Sequence, residues 1–228
     1  MDGGVGADQS AAMKVILFGA TGMVGQGVLR ECLLADDVRE VLAVGRTATG
    51  QTHAKLRELV HADLTAWTGV EDQLAGYDAC FFCLGVSAAG MTEQAYTRIT
   101  HDYTLAVANV LARVSPGSTF IYVSGQGTNA KGRAMWARVK GQTEDELRAL
   151  PLKTVMFRPG LIRPMHGIRS RTRLYRVAYV GLWPLFPVFS LFGALTTTER
   201  VGKAMLAVAR KGSAKPVVDN RDIDALAR

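Results

Sequence analysis

Three glycines near the start of the chain carry the clearest chemical pattern in the sequence. Residues 14–25 read KVILFGATGMVG, so an apolar strand runs into Gly19, Gly22 and Gly25 and then into an amphipathic stretch. A dinucleotide site needs glycine for a tight strand-to-helix turn, for close approach of the backbone to a pyrophosphate and for close helix packing. A helix that begins near Met23 would direct its free N–H groups and positive dipole end at the phosphates. The pattern predicts a dinucleotide-binding loop, with an ordinary structural turn as the alternative.

The end of the second predicted strand bears on which dinucleotide the loop would bind. In this type of fold an acidic residue at that place accepts a hydrogen bond from the 2′-hydroxyl of NAD. This chain has Gly45-Arg46 there instead, about twenty residues beyond Gly25, where the ribose contact is expected. A guanidinium can bind a 2′-phosphate through two parallel hydrogen bonds. Arg46 therefore favours NADP over NAD, with an arginine solvated on a loop as the alternative, and Asp63 is a candidate contact to the adenine amino group.

Apolar strands alternate with amphipathic helices along most of the chain. The predicted strands cover residues 14–18, 41–44, 59–61, 79–84, 119–124 and 153–157, and the predicted helices cover 26–34, 92–114 and 133–150. Such alternation is typical of a doubly wound α/β fold, in which a parallel sheet is covered by helices on both sides. A later helix at 198–210 and a short strand at 216–218 return to the same fold. We predict a disordered tail at 1–12, a nucleotide-binding core at 13–160, and a C-terminal cap with the closing helix and strand at 161–228.

The composition is that of a globular protein with a basic surface. The chain has 228 residues, of which 48% are hydrophobic and 21% charged, with a net charge of +7 and a pI near 9.5. This length favours one domain with a sizeable core, and the charge suits an anionic partner such as a phosphorylated cofactor or an acidic lipid surface. The sequence lacks helix-turn-helix, zinc-binding and aromatic-basic RNA-binding signatures, which argues against nucleic acid as the partner.

The three cysteines point to a reducing compartment. Their number is odd and no secretory signal precedes them, so we expect a cytoplasmic protein. Cys80 and Cys83 form a CxxC pattern, which is compatible with a redox pair or half of a metal site. They lie in the apolar run 79–84, and residues three apart on a strand face opposite sides of the sheet. Two packed core thiols are therefore the favoured interpretation, and no metal site is predicted.

An uncharged stretch at 177–195 follows a cluster of arginines. Its length raises the question of a membrane span, but four glycine and proline residues interrupt it and the next helix and strand must return to the soluble fold. A buried or substrate-covering segment is the favoured interpretation. The arginines leave peripheral membrane contact through 163–195 open as an alternative. They are Arg163, Arg169, Arg171, Arg173 and Arg176.

Several short motifs together resemble the atypical branch of the short-chain dehydrogenase/reductase superfamily. They are GATGMVG at 19–25, FCLG at 82–85, HDY at 101–103, YVS at 122–124, VKG at 139–141, FRPG at 157–160, TTT at 196–198 and GKAM at 202–205. The set is most similar to the Tat-interacting-protein group of NADPH-binding proteins. The resemblance implies a Rossmann fold of the epimerase and dehydratase type. It also implies cofactor contacts at Gly19, Thr21, Gly22, Met23, Val24, Gly25, Leu84, Gly85, Lys140 and Pro159.

The same resemblance bears on catalysis. Active members use a serine after the fifth strand and a tyrosine four residues before a lysine on the next helix. These roles fall on Ser124 and Lys140, whereas the tyrosine position holds Trp136. An indole N–H donates a hydrogen bond but, unlike a phenol, cannot deliver a proton, so the usual proton relay is missing. Substitute acids exist at positions that no spacing singles out, namely Tyr96, His101, Tyr103 and His166.

Two functions from different classes remain open at this level. The first is an NADPH-dependent oxidoreductase that acts on an apolar carbonyl compound, and it follows from the cofactor loop together with Ser124 and Lys140. The second is a non-catalytic, NADPH-responsive regulatory or protein-interaction module, and it follows from Trp136. The fold alone does not choose between them.

Overall fold

A computed structural model describes residues 12–168 and 195–228. The predicted tail up to residue 11, the apolar stretch 177–194 and four arginines of the preceding cluster lie outside these described residues. The proposed tail, the substrate-covering role and the membrane contact therefore stay predictions, as does the division at residue 160. Within the described ranges, no helix is long and apolar enough to cross a membrane.

Helices and strands alternate as the sequence predicts. The described strands are β1 (Met13–Phe18), β2 (Val38–Gly45), β3 (Leu56–Val60), β4 (Ala79–Phe82), β5 (Thr119–Val123), β6 (Lys153–Arg158), β7 (Leu161–Arg163), β8 (Leu195–Thr197) and β9 (Val217–Asp219). The described helices are α1 (Met23–Leu34), α2 (Glu93–Thr97), α3 (Tyr103–Val114), α4 (Met135–Arg148), α5 (Thr198–Lys211) and α6 (Asn220–Leu226). A 3₁₀ turn covers Glu71–Leu74, and a π-helical turn at Arg98–Asp102 joins α2 to α3.

Seven of these strands form one parallel sheet in the order β3-β2-β1-β4-β5-β6-β9. The doubly wound α/β fold is thereby confirmed. The strand order reverses between β1 and β4, and ligands of such sheets bind in the crevice at the carboxyl ends of the strands beside that reversal. Strands β7 and β8 form a separate parallel pair.

The strand residues divide between two hydrophobic clusters, one on each face of the sheet. On β1, Val15 and Leu17 belong to the first cluster, whereas Ile16 and Phe18 belong to the second. This split follows from the period of two along a strand. It also separates the two cysteines as predicted, since Cys80 lies in the second cluster and Cys83 packs against the first.

Several elements differ from the sequence expectation. The predicted helix at 92–114 is interrupted by the π-helical turn, and the three-residue strands β7 and β8 and the helix α6 were not expected. Strands this short show too few alternations to be told from a loop by periodicity. The C-terminal part of the chain nevertheless contributes to the main fold, because β9 pairs with β6 and α5 packs against α1.

Candidate active site

The glycine loop between β1 and α1 is packed too tightly for side chains. Gly19 has a φ of 80°, and a Cβ there would lie 2.7 Å from the backbone of Cys83 and Leu84. A Cβ on Gly25 would overlap the carbonyl oxygen of Gly19. The N–H of Gly22 donates to that same carbonyl at 2.9 Å, which closes the turn. Glycine is therefore required at the first and third positions of the motif for steric reasons.

The beginning of α1 is suited to an anion. Gly22 is the N-cap residue, and no side chain in the described ranges caps the helix. The N–H groups of Met23, Val24 and Gly25 precede the first intrahelical bond, which Gln26 donates to the Gly22 carbonyl at 2.8 Å. These groups and the positive end of the helix dipole can hold a pyrophosphate. The tight loop and the uncapped helix end together fit a dinucleotide.

Two clefts lie on either side of this loop. The larger cleft has a volume of about 970 Å³ and the smaller one about 380 Å³. Of the predicted site residues, the larger cleft is lined by Gly22, Met23, Val24, Leu84, Gly85, Ser124, Trp136, Lys140 and Pro159. The smaller cleft is lined by Gly19, Thr21, Arg46 and also Leu84. A dinucleotide that spans the loop would thus place one half in each cleft.

Ser124 and Lys140 meet at the wall of the larger cleft. The Lys140 ammonium donates to the carbonyl oxygens of Ser124 at 2.8 Å and Val123 at 3.2 Å, so it is held at the carboxyl end of β5. The Ser124 hydroxyl pairs with the Thr128 hydroxyl at 2.8 Å, and both residues are buried. Helix α4 and the β5–α4 loop therefore bring together two functional groups that are 16 residues apart in sequence.

Burial changes the acidity of Lys140. It lowers the pKa of the ammonium from 10.5 to about 8, and the carboxylate of Glu144 one helical turn away partly opposes this shift. Glu144 is itself fully buried and paired with Arg148 and Arg158. At neutral pH Lys140 is therefore largely protonated, yet close to the pH at which it loses its charge.

Trp136 occupies the place where the resemblance expects a tyrosine. Its six-membered ring packs against Gly127, where a Cβ would lie 3.3 Å from Cη2 and the φ is 86°. The glycine in the β5–α4 loop thus leaves room for the larger indole. Trp136 lines the same cleft as Ser124 and Lys140, but it brings no titratable proton there.

The structure shows which of the four possible substitute acids line a cleft. Tyr96 lines the larger cleft. His101 is held between Asp102 and Glu146, each 2.9 Å from a ring nitrogen, and His166 lies 2.8 Å from Glu199. Tyr103 packs against the second hydrophobic cluster. Only Tyr96 among these four is a lining residue of either described cleft.

Asp63 and Thr128 show where sequence reasoning was incomplete. Asp63 is not among the residues that line the two clefts, and it accepts hydrogen bonds from the Thr65 hydroxyl at 2.7 Å and the Thr65 N–H at 3.0 Å. These bonds lower the pKa of its carboxyl group.

Thr128 was not predicted, since a threonine in a glycine-rich loop gives no signal of its contact with Ser124. Leu161 and Ile162 of β7 also line the larger cleft without a sequence signal.

The fold and the site define a dinucleotide-binding protein of the doubly wound α/β class. Residues 19–175 match the NAD(P)H-binding family, and the chain belongs to that family. Among curated relatives, the mitochondrial protein Fmp52 of Emericella nidulans is 31% identical over 168 residues, which cover 70% of each chain. The mitochondrial FMP52 of Eremothecium gossypii is 28% identical over 207 residues, which cover 86% of this chain and 88% of the relative.

A solved structure supports the same fold. The Bordetella bronchiseptica enzyme WbmF in complex with NAD+ matches with a TM-score of 0.67 at 17% identity, over 95% of this chain and 77% of that one. At this identity the likeness establishes the fold alone. The doubly wound nucleotide-binding fold is confirmed, whereas the epimerase and dehydratase type and the particular resemblance to the Tat-interacting-protein group stay predictions.

The comparisons correct the expected location. The relatives described above are named as mitochondrial proteins, so the expectation of a cytoplasmic protein is wrong. Free cysteines, two of them buried and one of intermediate burial, are compatible with any reducing compartment, and the sequence argument could not separate one compartment from another. No group of His, Cys, Asp and Glu side chains within residues 12–168 and 195–228 could hold a metal ion.

Proposed function

We propose that the protein binds NADPH in preference to NADH and reduces an apolar carbonyl compound in the larger cleft. The observation that carries this proposal is the meeting of Ser124, Lys140 and the uncapped beginning of α1 around one cleft. When bound, the reduced nicotinamide supplies a hydride. The residues of the chain then bind and orient the reactants and place a proton.

In this proposal the polar and the apolar residues of the cleft have different roles. The Ser124 hydroxyl donates a hydrogen bond to the substrate carbonyl oxygen and accepts one from Thr128, whose oxygen lies 2.8 Å away. Lys140 holds the ribose hydroxyls next to the nicotinamide, because its ammonium is fixed at the end of β5. Leu161, Ile162 and Val86 add apolar surface at the same cleft, which favours an apolar substrate.

The preference for NADPH depends on Arg46. This residue is exposed in the smaller cleft, next to Thr47 and Thr49. A guanidinium there can form a bidentate pair with a 2′-phosphate, whereas NADH has only a neutral hydroxyl at that position. The nearby Glu58 accepts a hydrogen bond from the Thr49 N–H, so its carboxylate is engaged with the loop.

A titration of the purified protein with NADPH and with NADH, followed by quenching of tryptophan fluorescence, tests this assignment. We expect tighter binding of NADPH, and we expect Arg46→Ala to weaken NADPH by about tenfold while leaving NADH unchanged, as for one charged hydrogen-bonded contact. The matched control is Arg57→Ala, because Arg57 is also exposed on the neighbouring strand β3 but lines neither cleft. Equal affinity for the two dinucleotides would contradict the preference.

A second candidate function is a non-catalytic, NADPH-responsive module that acts through a protein partner. Trp136 favours it, because the position of the usual acid holds a side chain that cannot release a proton. In that case the parent protein binds NADPH without oxidising it in the presence of apolar aldehydes and ketones, and Trp136→Tyr creates activity. Turnover by the parent protein would exclude this candidate.

A further inference from the structure

The larger cleft contains a phenol that the usual arrangement of this site does not use. Tyr96 lies on α2 and lines the cleft together with Ser124, Trp136 and Lys140. Only 2% of its surface is exposed to solvent. Tyrosine acts as a general acid in proteins when it lies within hydrogen-bonding reach of the group that takes the proton. The larger cleft thus lacks the usual proton donor at position 136 but is lined by a second residue that carries a phenol.

Helix α2 is fixed against α4, the helix that carries Trp136 and Lys140. The Arg138 guanidinium of α4 donates to both carboxylate oxygens of Glu93 on α2, at 2.9 and 3.0 Å. Glu93 is three residues before Tyr96, which places the two on neighbouring positions of the same helix face. Thr92 caps the start of α2 by accepting from the Ala95 N–H at 3.3 Å. The position of Tyr96 is therefore tied to that of Trp136 and Lys140.

Tyr96 also interacts with Tyr122 of the neighbouring strand β5. Burial raises the pKa of Tyr122, and the charge interaction with Tyr96 raises it further. The ring of Tyr122 in turn lies 5.6 Å from the Lys140 ammonium. Immediately after α2 the chain forms the π-helical turn at Arg98–Asp102, a feature that often accompanies functional sites.

We propose that Tyr96 donates the proton in the reaction of the larger cleft, in place of a tyrosine at position 136. This assignment rests on the reductase function proposed above. The carbonyl carbon gains the hydride and the carbonyl oxygen gains the Tyr96 proton, so the carbonyl becomes an alcohol as NADPH becomes NADP+. The phenolate that remains takes a proton from water, which restores the phenol.

Variants at position 96 test the assignment with phenanthrenequinone, a flat apolar dicarbonyl, as the probe. Tyr96→Phe removes one oxygen atom, and we expect it to lower turnover by about a hundredfold, as for loss of a general acid, while the dissociation constant for NADPH is unchanged. The control is Tyr103→Phe, because Tyr103 packs against the second hydrophobic cluster outside the cleft. Adding Trp136→Tyr to Tyr96→Phe restores turnover, since it returns a phenol to the cleft.

A spectroscopic measurement provides a readout that needs no turnover. Tyrosinate absorbance is followed during an alkaline titration with and without NADPH. The bound phosphates disfavour a nearby phenolate, so NADPH shifts one tyrosine titration to higher pH. This shift is present in the parent protein and in Tyr103→Phe, and it is lost in Tyr96→Phe. A shift that survives in Tyr96→Phe places the responsive phenol elsewhere and overturns the assignment.

The outcomes separate a wrong proton donor from a wrong function. Parent turnover that persists in Tyr96→Phe overturns the role of Tyr96 and leaves the reductase function standing. A parent protein that binds NADPH but never oxidises it with the probe overturns the reductase function and the donor with it. Trp136→Tyr in the parent background gives an independent result: a rise in turnover of about a hundredfold shows that the parent lacks an acid and overturns the role of Tyr96.

Discussion

The hydroxyl oxygens of Ser124 and Thr128 lie 2.8 Å apart in a buried pair at the wall of the larger cleft. Ser124 follows directly after β5, and the Thr128 N–H donates to the Gly125 carbonyl at 3.2 Å, which holds residues 124–128 in a compact turn. The direction of the Ser124 hydroxyl is therefore set by a neighbour in its own loop rather than by solvent.

Thr128→Val tests the importance of this pair. The valine has nearly the same shape but no hydroxyl, so Ser124 loses the bond that orients it. A hydrogen bond of this kind is worth about 1 kcal/mol, and we expect turnover to fall by about fivefold with unchanged affinity for NADPH. Steady-state kinetics with the phenanthrenequinone probe measure the change. Thr128→Ser is the matched control, since it keeps the hydroxyl and should keep the parent rate, and equal rates for all three proteins would contradict the orienting role.

Gly25→Ala tests the steric requirement of the cofactor loop. The added methyl group would overlap the Gly19 carbonyl oxygen, so α1 must move away from β1. We expect the free energy of unfolding to fall by about 1–3 kcal/mol and NADPH quenching to be lost, because the helix N-terminus no longer faces the phosphates. Urea unfolding and the fluorescence titration measure the two effects.

Gly85→Ala is the control for that substitution. Gly85 also lines the larger cleft, but a Cβ there meets no atom within 4 Å and its φ is not in the left-handed region. Its free energy of unfolding should stay within about 0.5 kcal/mol of the parent value. A Gly25→Ala protein as stable as Gly85→Ala, with NADPH binding intact, would show that the loop tolerates a side chain.

Lys140 predicts a pH dependence of stability with a defined sign. Its pKa is about 8 in the folded protein and 10.5 in an unperturbed lysine, so between these values the unfolded chain binds more protons. Stability therefore rises with pH across this window. Lys140→Met removes this contribution. Between the low and the high end of the window, the free energy of unfolding of the parent should therefore rise by about 1–2 kcal/mol more than that of the variant. Urea unfolding of both proteins at the two ends of the window measures the difference.

Lys203 serves as a control because its pKa is shifted in the opposite direction. Its hydrogen bond to Glu199 raises its pKa, so the stabilising contribution of the charged form is lost as the pH rises through that raised value. Lys203→Met should therefore not reproduce the gain that distinguishes the parent from Lys140→Met. The same pH dependence in both variants would mean that burial of Lys140 is not its cause.

The sequence alone was enough for the cofactor loop and the sheet. Gly19, Gly22 and Gly25 are recognisable because their requirement is local: the turn and the helix start involve backbone atoms only a few residues apart. The order of apolar strands and amphipathic helices predicts a doubly wound sheet for the same reason, since the periods of two and 3.6 are properties of neighbouring residues. The π-helical turn at Arg98–Asp102, which divides the predicted helix at 92–114, was not predicted, because the apolar periodicity continues through it.

The tertiary structure decided which polar groups share the larger cleft. Tyr96, Ser124 and Lys140 come from three separate segments, and their meeting depends on how α2 and α4 pack at the end of β5. Composition gave no reason to prefer Tyr96 over Tyr103, or to notice Thr128 at all. Asp63 is the opposite case. Its place in the sequence just after β3 predicted a cofactor contact, but Asp63 is not among the residues that line the two clefts. Local backbone demands can be read from the sequence, whereas distances between side chains remote in sequence exist only once the helices are packed on the sheet.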